Sequence, residues 1–405
     1  MKFLKTVSLD QAIDLMDKNT SLHQGNEMVP IVEALGRYLF SDILSDEDVP
    51  YYNRSTVDGY AVVSQATQGA SDSIPVTLKL KGALDIGTMT DEKITPEDTM
   101  YIPTGGMVPD GADAMVMIED AQLLDDLVLI QKPASAGLNL VKTGEDVKKG
   151  ETVLSRGHRL KPQDLGALAQ LNHLEVSVLE KPRVFIISTG DEFAGPLDEL
   201  TDGKIRDVNT YAISALADEA GFLVSGTMLV PDDLEEIKAA IDEGLKDSDL
   251  VLLSGGSSAG DRDFTKKAIE GLGGKVLFHG IRIKPGKPTI GASIDGVPVI
   301  GLPGHPVSAM MIFKTLVMEY FQKSTGCSVP KSLIKAKTQV NFPSVAGRLT
   351  CQFLTLTETK DEILCKPYYS NSALVSQLTQ AQGYAMIAEE EEGVDEGTVL
   401  DVILL

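Results

Sequence analysis

The sequence predicts an α/β protein of several domains with a mostly parallel sheet at its centre, and three observations predict it. At 405 residues the chain exceeds one ordinary domain of roughly 100 to 200 residues. Between Pro182 and Gly326, four apolar strand candidates alternate with polar or glycine-rich loops and helical patterns, as in a parallel sheet. Outside that stretch the apolar runs are short and separated by Gly, Pro and Asp, the texture of β structure.

Taken in order, Leu9, Ile13 and Met16 share one face behind Ser8 as a cap and predict a first helix; the apolar stretch from Val29 to Leu44 is read as a second. Residues 49–141 carry the runs YAVV, VTLKL, AMVMI and LVLI, which predict a small β domain. Residues 142–181 hold the turn-rich TGEDVKKGETVL and a helix over Gln163 to Leu171, and are expected to pack back on residues 1–48 as one linker domain. Residues 182–326 form the α/β domain, with strands RVFIIS, LVSGTMLV, DLVLLS and VPVIGL. The helix after the second strand places Leu234, Ile237, Ile241 and Leu245 on one face. Residues 327–405 return to strand candidates (AKTQVNF, LTCQFLTL, EILCKPY, YAMIAEE, TVLDVILL) with a helix around Ala373 to Gln380, and are expected to close as a small β-barrel. Glu389 to Glu392 reads as a solvated turn.

Composition narrows the function. Hydrophobic residues at 43% and charged residues at 23% are those of a chain that folds. With no Trp and aromatics at only 5%, the cores must be built from Val, Ile, Leu, Ala and Met. The 59 acidic residues outnumber the 36 basic ones, and a formal charge of −23 repels phosphate backbones and anionic membranes, which argues against nucleic acid and membrane partners. Any anionic ligand must therefore be held by a local cluster of cations and backbone N–H groups. Cys327, Cys351 and Cys365 are odd in number and widely spaced, so neither a disulfide framework nor a zinc site is expected. The start lacks a signal-peptide apolar core and no run approaches the ~18 apolar residues of a membrane span, so a cytoplasmic location is expected.

Ligands of open parallel sheets bind beyond the carboxyl ends of strands. Three such loops stand out: Thr189-Gly190-Asp191-Glu192, Gly255-Gly256-Ser257-Ser258-Ala259-Gly260-Asp261-Arg262-Asp263, and Pro303-Gly304-His305-Pro306. Glycines and hydroxyls in the second suit a phosphate, although a tight strand-to-helix turn reads the same by itself. Arg282-Ile283-Lys284-Pro285-Gly286-Lys287-Pro288 supplies the missing cations, on a backbone stiffened by prolines; a rigid loop with solvated lysines is the competing reading. Asp191, Glu192, Asp261 and Asp263 beside an anion call for magnesium, with helix capping the rival role for Asp263. Asn53 to Ala61, around Asp58, and Ile102 to Met107, around Thr104, read singly as hairpin turns. The sequence has no HExxH, CxxC, GxSxG or Walker A pattern, and its five histidines lack metal spacing. Of these only His305 lies in a site loop, where a loop-shaping hydrogen bond and catalysis are both open.

The motifs NRSTVDGYA, PTGG, TGEDV, STGDE, SGGSSAGDRDFTK, KPGKP and GLPGHPVSA occur in the order found in MoeA proteins, and the whole chain resembles that family and the related gephyrin E domain. The resemblance implies a molybdopterin molybdenumtransferase that inserts molybdate into molybdopterin-AMP, releases AMP and depends on Mg2+. It implies a homodimer, with residues 1–48 and 142–181 in dimerisation, and molybdopterin adenylyltransferase and molybdoenzyme apoproteins as further partners. Carried onto this sequence, Thr189, Gly190, Glu192, Gly255, Gly256, Ser257, Ser258, Gly260, Asp261, Pro303, Gly304, His305 and Pro306 would hold the adenylylated pterin. Lys284 and Lys287 would neutralise oxyanions. Asp58, Asp191 and Asp263 would bind magnesium or orient water, with Asp191 and Asp263 as the metal ligands. Asp58, Thr104 and Asp146 would approach from the other subunit. The reacting sulfurs belong to the substrate, which fits the lack of a protein nucleophile. This chain departs from the usual pattern at His305, where many members have Asn, at Gly106 for Ala, and at Ser257 and Ala259 for Val. An adenylyltransferase of the MogA type would need only the α/β domain, and a scaffold, as the gephyrin E domain also is, would use the same cleft for a peptide.

Overall fold

A strand whose residues are apolar without alternation must be covered on both faces. The computed structural model describes residues 6–22, 24–194, 200–201, 203–255, 264–369 and 371–405, and shows that cover. Four parallel strands, β1 (Arg183–Thr189), β2 (Leu223–Val230), β3 (Leu250–Ser254) and β7 (Val297–Leu302), lie in the order β2-β1-β3-β7. Val184, Ile186, Leu250, Leu252, Ile300 and Leu302 join one buried cluster, with the first helix α1 (Leu9–Asn19), α2 (Asn209–Glu219) and the run from α5 (Pro306–Ile312) to α6 (Met318–Thr325). Phe185, Ile187, Val251, Leu253 and Val299 point the other way, into a cluster with α3 (Leu234–Leu245) and α4 (Phe264–Gly271). Successive residues thus face opposite layers, as the two-residue period of a strand dictates.

Local signals fix the helix starts. The Ser8 side chain accepts from the Gln11 amide at 3.1 Å while Gln11 Oε1 accepts from the Ser8 amide at 3.0 Å, a reciprocal cap for α1. Asp233 accepts from the amides of Glu235 and Glu236 and caps α3. Two further strands, β4 (Lys275–His279) and β6 (Ile290–Ile294), extend the sheet antiparallel, β6 against β7 and β4 against β6, so it is mixed at that edge.

The C-terminal strands β8 (Leu333–Thr338), β9 (Leu349–Glu358), β10 (Ile363–Pro367), β11 (Gly383–Ile387) and β12 (Val399–Leu404) pair in the order β9-β10-β8-β12-β11, and β11 returns to β9, closing a five-stranded barrel. A two-residue strand, β5 (Ile283–Lys284), pairs with β9, so the Lys-Pro-Gly-Lys-Pro segment begins as an added strand of the barrel. The expected helix at Ala373 to Gln380 is one turn, Val375–Leu378. Glu389 is not merely solvated, because its Oε2 accepts from Arg282 Nε at 2.9 Å.

The second N-terminal helix is not formed. Asn26–Pro30 is a strand paired antiparallel with Glu175–Leu179, Ile31–Glu33 is a single 3-10 turn, and Ile43–Leu44 pairs with Thr152–Leu154. Gly36, in the middle of the stretch, takes φ +77°, a left-handed conformation that interrupts a helix, whereas Pro30 stands at the second position, where a helix would admit it.

Asp42–Ser155 and Gly166–His173 form a compact unit of their own; the rest of the described chain forms the other. In the former, six strands lie in the order Ala114–Met117, Gly59–Val62, Asp98–Ile102, Val76–Ala83, Leu127–Ile130, Ala121–Leu124. The three cysteines are free and buried, and among the described residues no helix is long and apolar enough to cross a membrane.

Candidate functional site

The chain leaves β1 towards one edge of the sheet to form β2, then returns to place β3 on β1's other side, so the strand order reverses between β1 and β3. Loops leaving the carboxyl ends of two such strands diverge and open a crevice. A cavity of about 660 Å³ lies there, bordered by Thr189, Glu192, Gly255, Pro303, Gly304 and His305 from the three loops singled out in the sequence. Gly255 lets the two strand ends close up: its φ is +106°, and a Cβ there would sit 2.2 Å from the Thr189 carbonyl oxygen. The Thr189 hydroxyl is buried and has no partner among the described residues, a polar group they leave over.

Asn209, at the first turn of α2, braces this edge. Its buried Nδ2 donates to Ser254 Oγ at the end of β3 and to the Gly304 carbonyl at 2.8 Å. Nothing local in the sequence points to that role, because the three segments meet only in the fold. His305 Nδ1 lies 2.8 Å from Ser372 Oγ, and the Val307 amide donates to the Ser372 carbonyl at 3.1 Å. The loop-shaping bond considered for His305 is therefore present, while Pro306 opens α5 at its first position.

The Lys-Pro-Gly-Lys-Pro segment forms another wall, with Lys284 and Lys287 both at the cavity. Its base is tied by the Ile281 amide donating to the Lys287 carbonyl at 2.9 Å and by Thr289 Oγ1 donating to the Gly286 carbonyl at 2.7 Å. Gly286 has φ +124°, which favours glycine, and a Cβ would meet Ile312 Cδ1 at 2.4 Å, so any other residue there is strained and must displace the Ile312 side chain. Arg282 is neutralised by Glu389, but Lys284, Lys287 and Arg348 form no ion pair among the described residues. In a chain of charge −23, three unpaired cations at one cavity make it a place for an anion.

Asp191 Oδ1 accepts from the Asp232 amide at 3.1 Å, and its carbonyl accepts from Lys204 Nζ at 2.6 Å. Asp232 also borders the cavity, with its buried Oδ1 lacking a partner among the described residues. Among the described residues no group of three or more metal-ligating side chains occurs, so a protein-only cage is not what they offer. Mg2+ is commonly held by one or two carboxylates together with substrate phosphates and water, and the orphaned Asp232 oxygen beside Asp191 fits that mode. Gly256, Ser257, Ser258, Gly260, Asp261 and Asp263 lie outside the described residues.

In the other unit, Asp58 Oδ1 accepts from the Thr104 amide at 2.7 Å and from Thr104 Oγ1 at 3.1 Å, so the two loops around Asp58 and Thr104 form one constellation. Asp146 Oδ2 accepts from Gln170 Nε2 at 2.8 Å. Asp58, Thr104 and Asp146 are all exposed.

The barrel's share of the cavity was missed in the sequence. Arg348, Gln352, Tyr368, Tyr369 and Ser372 all line it, yet none stands in a recognisable pattern, and each is at least 43 positions from His305, brought near by β5–β9 pairing and the Ser372 contacts. No local signal would have found them.

Comparison with known proteins bears on the same residues. A model of the MoeA N-terminal region (domain I and II) matches residues 7–172, a model described as a probable molybdopterin binding domain matches 185–323, and a model of the MoeA C-terminal region (domain IV) matches 335–405. Molybdopterin molybdenumtransferases of Staphylococcus aureus and Bacillus subtilis are each 31% identical, over 93% and 94% of this chain and 90% of their own lengths. The crystal structure of a molybdopterin biosynthesis MoeA protein from Pyrococcus horikoshii superposes with a TM-score of 0.83 at 30% identity, covering 99% of this chain and 100% of that one.

Proposed function

Because the chain belongs to the MoeA family, we propose that it is a molybdopterin molybdenumtransferase, which inserts molybdate into adenylylated molybdopterin with release of AMP in a magnesium-dependent reaction. The observation that carries this reading is the cation-lined cavity at the strand-order reversal, in a chain whose overall charge would otherwise repel both anionic substrates. Lys284, Lys287 and Arg348 take up phosphate and molybdate oxygens, and the unpartnered Thr189 hydroxyl donates to one of them. Asp191 and Asp232, together with Asp263 from the sequence pattern, would hold Mg2+, which would supply Lewis-acid stabilisation of phosphate charge when bound. Sulfur ligands for molybdenum come from the substrate, so the protein positions and neutralises rather than attacks. Asp58, Thr104 and Asp146 complete the site from the second subunit of a homodimer. The buried free thiols support a reducing cytoplasm as its location.

The test supplies purified protein with molybdopterin-AMP and Mg2+, with and without molybdate, and measures AMP. AMP release only in the presence of the oxyanion is expected; release indifferent to molybdate overturns the assignment. Lys287→Ala should weaken substrate binding roughly tenfold, the scale of one charge-assisted hydrogen bond, with melting unchanged.

A further inference from the structure

The cavity has an aromatic wall as well as a cationic one, and the register of β9 sets their separation. Lys284 is paired with Thr350 on β9. Three residues further along that strand lies Phe353, whose carbonyl accepts from the Tyr368 amide at 2.8 Å. At ~3.3 Å per strand residue, Tyr368 therefore lies on the order of 10 Å from the Lys284 backbone. Tyr369 follows directly, borders the cavity and is 65% exposed.

An exposed tyrosine is ordinary in itself. Tyr369 differs in its mounting. On one side, Gln352 Nε2 donates to the Tyr368 carbonyl at 3.1 Å; on the other, Ser372 is held by His305 and by the Val307 amide. Among the described residues the Tyr369 ring makes no ring contact and its hydroxyl no hydrogen bond; Tyr51 and Tyr211 are equally unengaged, but Tyr369 alone of the three borders this cavity. The fold thus ties down Tyr368 before this ring and Ser372 three residues after it, and leaves the ring itself unused among the described residues.

We propose that Tyr369 is a specificity-determining residue, whose ring stacks on the planar nitrogen heterocycle of a phosphate-bearing ligand while Lys284, Lys287 and Arg348 hold the phosphate. This rests on the reading of the cavity given above and deepens it. The separation suits a nucleoside monophosphate or a phosphorylated pterin, in which one phosphate and one bicyclic ring lie at opposite ends. Stacking on an aromatic face requires no hydrogen-bond pattern, so the ring selects for a flat heterocycle and against inorganic phosphate or molybdate alone.

Binding of AMP, of neopterin monophosphate and of inorganic phosphate is measured calorimetrically on the full chain for wild type, Tyr369→Ala, Tyr369→Phe and Tyr369→Trp, with melting recorded for each. Tyr369→Ala should lose about 5- to 150-fold in affinity for the heterocycle that stacks there, the range of one base–aromatic contact. Phe and Trp should retain it, and phosphate binding should not change. Loss confined to AMP assigns the ring to the adenine, and loss confined to neopterin monophosphate assigns it to the pterin. Tyr369→Ala binding both ligands as wild type does overturns the inference and leaves the reading of the cavity standing. A wild type that binds neither ligand more tightly than inorganic phosphate overturns both.

Discussion

Gly255→Ala separates two effects that a glycine usually hides together. The φ of +106° alone is expected to cost an alanine about 1–3 kcal/mol. The new methyl would also stand 2.2 Å from the Thr189 carbonyl oxygen, where ordinary contact begins at 3.4 Å, so β1 and β3 must part by roughly 1 Å at their carboxyl ends. A displacement of that size costs on the order of 100-fold in rate when it moves positioning groups, and here it moves Thr189 directly. Gly273→Ala is the control: its φ is +77°, and nothing lies within 4 Å of the added Cβ. The control should lose about 1–2 kcal/mol, several degrees of melting temperature, and keep its turnover. Gly255→Ala should melt lower still and release AMP at about one hundredth of the wild-type rate. If the two variants melt together and turn over alike, the close approach of the strand ends is not what holds the site.

Three further outcomes follow from groups already described. Burial pushes the Tyr320 hydroxyl up to about 12, so between about pH 10 and 12 the unfolded chain releases a proton that the folded chain retains; the Tyr320 contribution to stability is intact below that window and is lost, by roughly 2–3 kcal/mol, across it. Because the Thr20 hydroxyl is committed to the Met16 carbonyl, Tyr320 donates to it, and Tyr320→Phe should cost only about 1 kcal/mol at pH 7 while flattening the alkaline loss seen by denaturant titration; an unchanged alkaline slope would contradict this. Cys351, pushed up to about 12, and Cys327 and Cys365, raised by the same burial, should be inert to a thiol reagent at pH 8 in the native protein and all react in denaturant; rapid native labelling would show that they are accessible. His305→Ala and Ser372→Ala should each weaken AMP binding, and the double variant should lose less than their sum by about 1 kcal/mol, the mark of one shared contact; strict additivity would mean that the pair does not couple.

How much was legible followed from how each element is buried. Strands β1, β3 and β7 are covered on both faces and read as unbroken apolar runs, so they were found with their boundaries nearly right, and the loops after them could be named in advance. The barrel strands show enough alternation to be seen one by one. The stretch from Val29 to Leu44 reads as a helix because apolar content alone does not separate a helix from short strands; Gly36 in its middle is the available signal. Strands β4 and β6 went unassigned, lying where the sheet turns antiparallel and the βαβ rhythm stops. Asn209 and the barrel's side of the cavity could not be read locally, since what places them is pairing between distant segments.

The two residues of β5 tie the cationic loop to the barrel rather than to the sheet from which the chain has just emerged. Lys284 pairs with Thr350, and the Leu349 amide donates to the Arg282 carbonyl at 2.9 Å. In a chain cut after residue 330, the central sheet could keep both its buried faces while Lys284 lost its strand pairing and the cavity lost Arg348. The charge that attracts the ligand and the fold that frames it are thus inherited through different parts of the polypeptide, and a shortened relative that kept only the α/β layers would need another way to hold its cations.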